Sequence, residues 1–290
     1  MIVGPNGALY GATYADWCWG CGPDGGGNET GGTVFLLAPP GSVEGSWTQY
    51  TIHNFWPLDD ALGMDPLAGL IFHNGSLYGT TYGLYGTGGG CGAVYEISPP
   101  ATGSAAWAAT AIHSFAGSDG CGPGAPVSRG PGGVLYGTTF FGGSGTGCPA
   151  PVAGCGVVFQ LSPPSSPGGS WAYAVVYNFS GQNGDGAFPW RSGLVVGNHG
   201  VLYGTTQCGG SGPTANDCSG STVGSGTVFS LTPPATPGGA WTETILHSFT
   251  GGADGAVPVA GLALGPDGVL YGTTSAGGST GNGTVFSIRP

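Results

Sequence analysis

The feature that most constrains the fold of this chain is an internal repeat built around the tripeptide Leu-Tyr-Gly. It occurs five times, beginning at Leu9, Leu77, Leu135, Leu202 and Leu270. Thr-Thr follows in four of the five copies, and Ala12-Thr13 follows in the first. Repetition at such long spacing indicates stacked structural units that bury their apolar faces against one another.

Each full copy carries four short apolar segments bounded by Gly and Pro. In the second copy these segments are 69–72, 77–81, 93–95 and 107–115, and Asn74-Gly75 separates the first two. Asn-Gly is typical of a two-residue hairpin turn, and short β-branched or aromatic runs are typical of strands. Four antiparallel strands per copy predict an all-β protein, a β-propeller of about five four-stranded blades.

The predicted blades together form one repeat domain over residues 1–290. Their approximate bounds are 1–58, 59–118, 119–182, 183–252 and 253–290. The fifth copy ends at Pro290, before a Trp-led fourth segment, so the last blade is expected to lack its outer strand. A closed five-bladed ring is the favoured interpretation, and the alternatives are a fragment of a larger propeller or a β-solenoid. An unpaired edge strand could also bind a neighbouring molecule.

The fourth copy shows a recognisable order of motifs. Leu202 to Thr206 reads Leu-Tyr-Gly-Thr-Thr, Gly226 to Leu231 reads Gly-Thr-Val-Phe-Ser-Leu, and Pro233-Pro234 follows. With its counterparts in the other copies, this pattern resembles the Gloeo/Verruco tandem repeat over nearly the whole chain. The resemblance implies a bacterial exported or cell-surface repeat protein, and it implies no reaction.

Charge excludes several classes of partner. The chain has only 3 Lys plus Arg against 14 Asp plus Glu, a net charge of -11. Nucleic acid and acidic membranes require a basic surface, so neither is expected as a partner. No apolar run is long enough to span a bilayer.

The cysteines predict an oxidising compartment. The chain has 8 Cys, so we expect an extracellular or cell-surface protein. Its N-terminus shows no signal segment, so we expect the sequence to be a mature segment or an incomplete reading frame. Strand alternation places all the cysteines in loops at one face, the long-loop face. The predicted local disulfides are Cys18–Cys21, Cys91–Cys121, Cys148–Cys155 and Cys208–Cys218. A zinc site is disfavoured because the single CxxC has no second CxxC.

Aromatic residues fall into two groups. Trp47, Trp107, Trp171 and Trp241 recur in each full copy and are predicted to fill space between blades. The non-recurring aromatics of the long-loop face are Trp17, Trp19, Trp56, Trp190, Tyr82, Tyr85, Phe140 and Phe141. We expect some of these, Trp17, Trp19, Trp56, Trp190 and Tyr85, to stack on a glycan that Asp60, Asp185 and Arg191 orient. The alternative is that they pack beneath the loops.

Acidic residues recur in the connection from each copy to the next. Gly directly follows Asp119, Asp185 and Asp254, which favours a turn in which the carboxylate accepts backbone hydrogen bonds. The alternative is a Ca²⁺ site, for which Asp59, Asp60 and Asp65 form the best local group. No cofactor is otherwise expected.

Three functions remain open at this point. The first is a non-enzymatic exported protein that binds an extracellular glycan or another surface ligand. The second is a structural subunit of a fibre or surface assembly. The third is a polysaccharide-degrading enzyme, for which Asp59 or Asp60 would pair with Asp185 as two carboxylates. His53, His113 and His247 share a column with Tyr177, which favours packing over catalysis, so no catalytic residue is assigned.

Overall fold

A computed structural model of the chain describes residues 1–14, 31–42, 45–55, 62–83, 90–100, 106–148, 154–166, 168–213, 224–236 and 238–290. These residues contain strands and three single turns of 3-10 helix, and no α-helix. Five antiparallel sheets follow one another along the chain, each inside one of the five predicted repeats. The all-β prediction with four-stranded antiparallel sheets is therefore confirmed, while closure into a propeller stays a prediction.

The chain divides into two compact units, the first of which holds two sheets. Sheet 1 consists of β1 (Ile2–Val3), β2 (Leu9–Thr13), β3 (Thr33–Ala38) and β4 (Thr48–Asn54). Sheet 2 consists of β5 (Ile71–His73), β6 (Ser76–Thr81), β7 (Ala93–Ser98) and β8 (Ala108–Ser114).

The second unit holds three sheets and a short ribbon. Sheet 3 consists of β9 (Ser128–Arg129), β10 (Leu135–Thr139), β11 (Val157–Ser162) and β12 (Ala172–Asn178). Strands β13 (Gly186–Ala187) and β16 (Cys208–Gly209) pair as the ribbon. Sheet 4 consists of β14 (Val195–Val196), β15 (Leu202–Thr206), β17 (Thr227–Thr232) and β18 (Thr242–Ser248). Sheet 5 has three strands, β19 (Ala263–Leu264), β20 (Leu270–Thr273) and β21 (Val285–Ile288). The prediction of a single repeat domain stays a prediction.

The Leu-Tyr-Gly motif gives each sheet two different faces. Because side chains alternate along a strand, Leu and Gly point to one side of the sheet and Tyr points to the other. We call the side with Leu the leading face and the side with Tyr the trailing face. On the leading face the Gly leaves room for an aromatic ring, as a Cβ on Gly204 would lie 2.6 Å from Cζ of Phe229.

The core lies between consecutive sheets within each unit. The leading face of sheet 2 packs on the trailing face of sheet 1 around Val34, Phe55 and Leu77. Sheet 4 packs on sheet 3 in the same way, with the rings of Phe179 and Phe229 5.1 Å apart. Sheet 5 repeats the arrangement on sheet 4, with Phe249 and Phe286 also 5.1 Å apart.

Two of the recurring tryptophans pack between sheets as predicted. Trp107 lies edge-on to Tyr10 at 6.2 Å between ring centroids, and Trp241 lies edge-on to Tyr136 at 5.9 Å. Trp47 differs, since 48% of it is exposed. The prediction that Trp47 fills space between blades stays a prediction.

Candidate ligand-binding site

Four aromatic side chains of the second unit form one half-buried group, the aromatic cluster: Phe140, Phe141, Phe188 and Trp190. Phe140 lies at its centre, with its ring centroid 4.2 Å from Phe141, 5.1 Å from Phe188 and 4.6 Å from Trp190. All four are partly accessible to solvent. The structure thus brings together three aromatic residues singled out in the sequence and adds Phe188.

Arg191 places a positive charge on this cluster. Its Cζ atom lies 5.0 Å from the centroid of the Trp190 ring, and the residue is exposed. A guanidinium over an indole gains cation–π attraction and keeps its N–H edge open to a ligand. Within the described part of the chain, no carboxylate lies within ion-pair distance of Arg191.

An extra residue in the fourth copy creates this arrangement. Four residues lie between Pro189 and Leu194, whereas three lie between Pro258 and Leu262 in the fifth copy. The backbone absorbs the insertion at Arg191, whose φ of 50° lies in the left-handed region. A left-handed non-Gly residue costs free energy and marks a candidate functional position.

The segment before the insertion is anchored to neighbouring backbone. Phe188, also left-handed with φ 60°, donates its N–H to Cys155 O at 2.8 Å and accepts from Gln207 N–H at 2.9 Å. Cys155 is joined by a disulfide to Cys148, the pair expected from the sequence. The cluster therefore rests on a cross-linked loop.

Other cysteines are oxidised as well. Cys91, Cys121 and Cys208 are each disulfide-bonded. The pairs Cys91–Cys121 and Cys208–Cys218 stay predictions.

Asp185 holds a turn rather than pointing freely at the cluster. Its carboxylate accepts hydrogen bonds from Ser180 N–H and Oγ–H, both at 2.6 Å, and from Gly186 N–H at 2.6 Å. The corresponding carboxylates of Asp119 and Asp254 accept from Ala116 N–H at 2.8 Å and from Thr250 N–H at 2.9 Å. The turn interpretation therefore describes these three Asp residues, and a ligand-orienting role of Asp185 stays a prediction.

A titratable residue that the sequence did not reveal lies beside Asp185. Glu243 on β18 accepts a hydrogen bond from the Tyr177 hydroxyl of β12 at 2.8 Å, and its other carboxyl oxygen is buried without a hydrogen-bond partner. Burial, and after it the charge of Asp185, raises the pKa of Glu243 to about 8. Burial and Glu243 likewise raise the pKa of Tyr177. The sequence marks Glu243 only by variation: the equivalent residues of the first three copies are Gln49, Ala109 and Tyr173.

The three histidines that share a position in the repeat pack against aromatic rings. His53, His113 and His247 each lie edge-on to the Phe two residues later, and Tyr177 does the same with Phe179. His247 Nε2 also lies 3.1 Å from the carboxylate of Asp254.

The Ca²⁺ prediction can be followed only at Asp65. This residue is left-handed with φ 63°, is buried, and has one carboxyl oxygen without a hydrogen-bond partner. Burial raises its pKa. Within the described ranges, no three His, Cys, Asp or Glu residues come close enough to hold a metal ion.

Several predicted site residues lie outside the described part of the chain. They are Trp17, Cys18, Trp19, Cys21, Trp56, Asp59, Asp60, Tyr85 and Cys218. Their proposed roles in ligand binding, disulfide formation or Ca²⁺ coordination stay predictions.

The recurring sheets and their motifs match a known repeat. The model of the Gloeobacter/Verrucomicrobia repeat matches residues 1–212 and 88–290, two overlapping stretches. The chain belongs to the Gloeobacter/Verrucomicrobia repeat family. The resemblance seen in the motifs is therefore confirmed. No curated protein matches the chain at a significant level.

Solved structures show weaker likenesses. A luciferin-regenerating enzyme aligns with 91% of this chain and 75% of its own, at 14% identity and a TM-score of 0.46. A protein of unknown function from Dyadobacter fermentans aligns with 98% of this chain and 76% of its own, at 12% identity and a TM-score of 0.48. Likenesses this distant carry no argument about the activity of this chain.

Proposed function

We propose that this repeat protein is a non-enzymatic exported protein that binds an extracellular glycan through the aromatic cluster and Arg191. One observation carries the proposal: Phe188 and Trp190 of the half-buried aromatic cluster lie in the connection where the inserted Arg191 breaks the repeat. Trp190 and Arg191 have no aromatic or basic counterpart in the other copies, whereas Phe140 has the aromatic counterparts Tyr14 and Tyr82.

The chemistry of the cluster suits a sugar ring. Aromatic faces supply large apolar contact area at low cost in side-chain entropy, and a few polar groups nearby fix orientation. Phe140 and Trp190 supply the rings, and the open N–H edge of Arg191 can donate hydrogen bonds to hydroxyl or carboxylate oxygens. The structure leaves the cluster partly accessible, as such binding requires.

An extracellular or cell-surface location belongs to the same proposal. The Cys148–Cys155 disulfide and the oxidised state of Cys91, Cys121 and Cys208 support an oxidising environment. Across the described ranges, no helix has the length and apolar character needed to cross a bilayer.

Titration calorimetry with a panel of neutral and uronic-acid oligosaccharides tests glycan binding. We expect at least one member to bind wild-type protein, and Trp190→Ala and Phe140→Ala to weaken that binding on the order of tenfold or more. Trp47→Ala, which removes an exposed Trp far along the chain from the cluster, is the matched control and should bind as wild type. Binding that survives both cluster substitutions would rule out this site.

We also propose a second function, a structural subunit that joins copies of itself through its edge strand. Among the residues that the structure describes, sheet 5 has three strands, and β21 pairs with β20 alone. An open strand edge offers unpaired N–H and C=O groups to another chain. The Trp-led peptide 241–249, which matches the absent strand, should bind this edge and block assembly. Assembly that continues with the peptide bound would contradict the edge-strand route.

A further inference from the structure

The chain contains one Asp-Pro bond, Asp65–Pro66, in the connection between sheet 1 and sheet 2. The equivalent bonds of the later connections are Gly122–Pro123, Phe188–Pro189 and Val257–Pro258. In all four the residue before Pro is left-handed, with φ between 57° and 71°. The four connections therefore share one backbone form, and only the first places a carboxyl group beside the bond to Pro.

The fold encloses the carboxyl group of Asp65. The residue is 5% exposed, and within the described part of the chain its Oδ1 atom has no hydrogen-bond partner. Pro66 is buried as well. Burial raises the pKa of the Asp65 carboxyl, so this group keeps its proton at a higher pH than an exposed aspartate does. The segments hydrogen-bonded to Asp65, at Gly31 and at Tyr82, bring one titratable side chain, that of Tyr82.

Two backbone N–H groups activate the main-chain carbonyl of Asp65, which forms the bond to Pro66. Its oxygen accepts from Leu67 N–H at 2.7 Å and from Tyr82 N–H at 2.9 Å. Paired N–H donors polarise a carbonyl and stabilise the oxyanion that forms when a nucleophile adds to its carbon. The bond to Pro66 is thus prepared for attack.

The backbone at Asp65 is also strained. L side chains rarely adopt a left-handed φ, and the Pro ring restricts the residue before it to extended backbone. Asp65 is held there because its N–H donates to Gly31 O at 2.9 Å. Pro66 is fixed alongside, since a Cβ on Gly32 would lie 2.7 Å from its Cδ. Breaking the bond between Asp65 and Pro66 releases this strain.

We propose that Asp65–Pro66 is a self-cleavage site, at which the Asp65 side chain attacks its own main-chain carbonyl carbon. The attack closes a five-membered ring within one residue, so no second group has to be brought to the carbonyl. Carboxyl groups act as nucleophiles that form covalent intermediates in many enzymes. Phe188 and Val257 have the same backbone form without a nucleophile, so their bonds to Pro should stay intact.

The reaction consumes one water molecule and needs no other reagent. The side-chain hydroxyl oxygen of Asp65 bonds to the main-chain carbonyl carbon and forms a cyclic anhydride. The carboxyl proton passes to the nitrogen of Pro66, and the C–N bond breaks with its electron pair on that nitrogen. Water then opens the anhydride, which leaves Asp65 as a C-terminal residue with two free carboxyl groups and Pro66 as a new N-terminus.

The cut falls between β4 and β5, inside the first unit. The two pieces remain packed around Val34, Phe55 and Leu77, so the cut chain should stay associated until it is unfolded. This inference depends neither on glycan binding nor on self-assembly, and its failure leaves both proposed functions standing.

Incubation of the purified wild-type chain tests the proposal, at a pH of about 5.5 where an exposed aspartate is ionised. This pH also lies above the isoelectric point of about 4.3. Reducing denaturing gels and intact mass spectrometry follow the fragments 1–65 and 66–290. A parallel sample in urea, shown by circular dichroism to be unfolded, measures the ordinary acid lability of the same bond. We expect the folded chain to be cut on the order of tenfold faster or more, because unfolding removes the two N–H donors from the carbonyl.

Asp65→Gly is the matched variant, because Gly122 occupies the equivalent position and Gly accepts a left-handed φ. It should fold as wild type by circular dichroism and show no cut at this bond, and Asp65→Asn should lose most of the cleavage. A cut that persists in Asp65→Gly would identify a contaminating protease and overturn the proposal. Equal or faster cleavage in urea, or no cleavage of the folded wild-type chain, would overturn it too, by showing that the fold protects this bond. The comparison of folded and unfolded wild-type chain decides the question even if a variant folds poorly.

Discussion

Two connections in the second unit share one backbone design and differ by one residue. In the connection before sheet 4, Phe188 precedes Pro189; in the connection before sheet 5, Val257 precedes Pro258. Both residues before Pro are left-handed, with φ of 60° and 57°. Each donates its N–H to the preceding copy at 2.8 Å, Phe188 to Cys155 O and Val257 to Ser225 O.

The difference follows directly after Pro. The fifth copy continues with Val259 and Ala260, and Ala260 O accepts a hydrogen bond from Thr205 at 3.3 Å. The fourth copy has Trp190 and the extra Arg191 before Ser192, whose carbonyl accepts from Thr138 at 3.4 Å. The residues that both connections share, up to and including Pro, therefore position the chain between sheets. Trp190 and the inserted Arg191 add side chains that a ligand can reach.

Substitutions in the backbone that both connections share should lower the free energy of unfolding most. Gly156 beside Pro189 and Gly226 beside Pro258 are both left-handed, and a Cβ on them would lie 2.4 Å and 2.5 Å from a backbone oxygen. We expect Gly156→Ala and Gly226→Ala each to lower the free energy of unfolding by about 3 kcal/mol, measured by urea denaturation. The control Gly132→Ala meets no atom within 4 Å and should cost about 1 kcal/mol. Very different losses at Gly156 and Gly226 would show that the two connections are not built alike.

The anchors of the two connections differ in strength. Cys155 is held by its disulfide to Cys148, whereas Ser225 at the equivalent position donates a hydrogen bond to Pro213 O. The double change Cys148→Ser with Cys155→Ser should cost about 2 kcal/mol, and Ser225→Ala about 1 kcal/mol. Urea denaturation measures both, and an equal or larger loss at Ser225 would contradict this ranking.

Glu243 should make stability depend on pH. Its pKa is about 8 in the folded chain against an ordinary value of 4.5, so the folded chain holds the extra proton between these values. Stability should then fall as pH rises from 4.5 to about 8, because the unfolded chain loses that proton first. Thermal melts at pH 5, 7 and 9 should show a flatter profile for Glu243→Gln. Asp267→Asn, at an exposed position, is the control and should keep the wild-type slope; an unchanged slope in Glu243→Gln would contradict the assignment.

The inserted residue should affect stability least and binding most. Arg191→Gly relieves a left-handed side chain and should raise the free energy of unfolding by up to about 1 kcal/mol. The same change should weaken binding of a uronic-acid oligosaccharide more than that of its neutral counterpart, measured by calorimetry. Arg129→Gly on β9 is the matched exposed arginine and should leave binding unchanged. A loss of stability together with unchanged binding would show that Arg191 serves the fold.

The repeat predicted the sheets well because strand alternation and packing act through positions that recur. Leu202 and Phe229 face the core for the same reason as Leu77 and Tyr95, so counting copies was enough to place them. Trp190 was found because it does not recur. The insertion at Arg191 is also visible as an extra residue between Pro189 and Leu194.

Other features could not be read from the sequence. Glu243 meets Tyr177 and Asp185 across two sheets, and no local pattern shows which side chains meet over such a distance. The role of Asp185 in its turn depends on backbone N–H groups that the sequence does not orient.

Hydrogen–deuterium exchange of the two matched connections, with and without a bound oligosaccharide, tests the central claim most directly. The account predicts that the ligand slows exchange at 138–141 and 186–192 and leaves 254–262 unchanged. Equal protection of both connections, or protection of the second alone, would contradict the claim that the inserted residue makes the binding site.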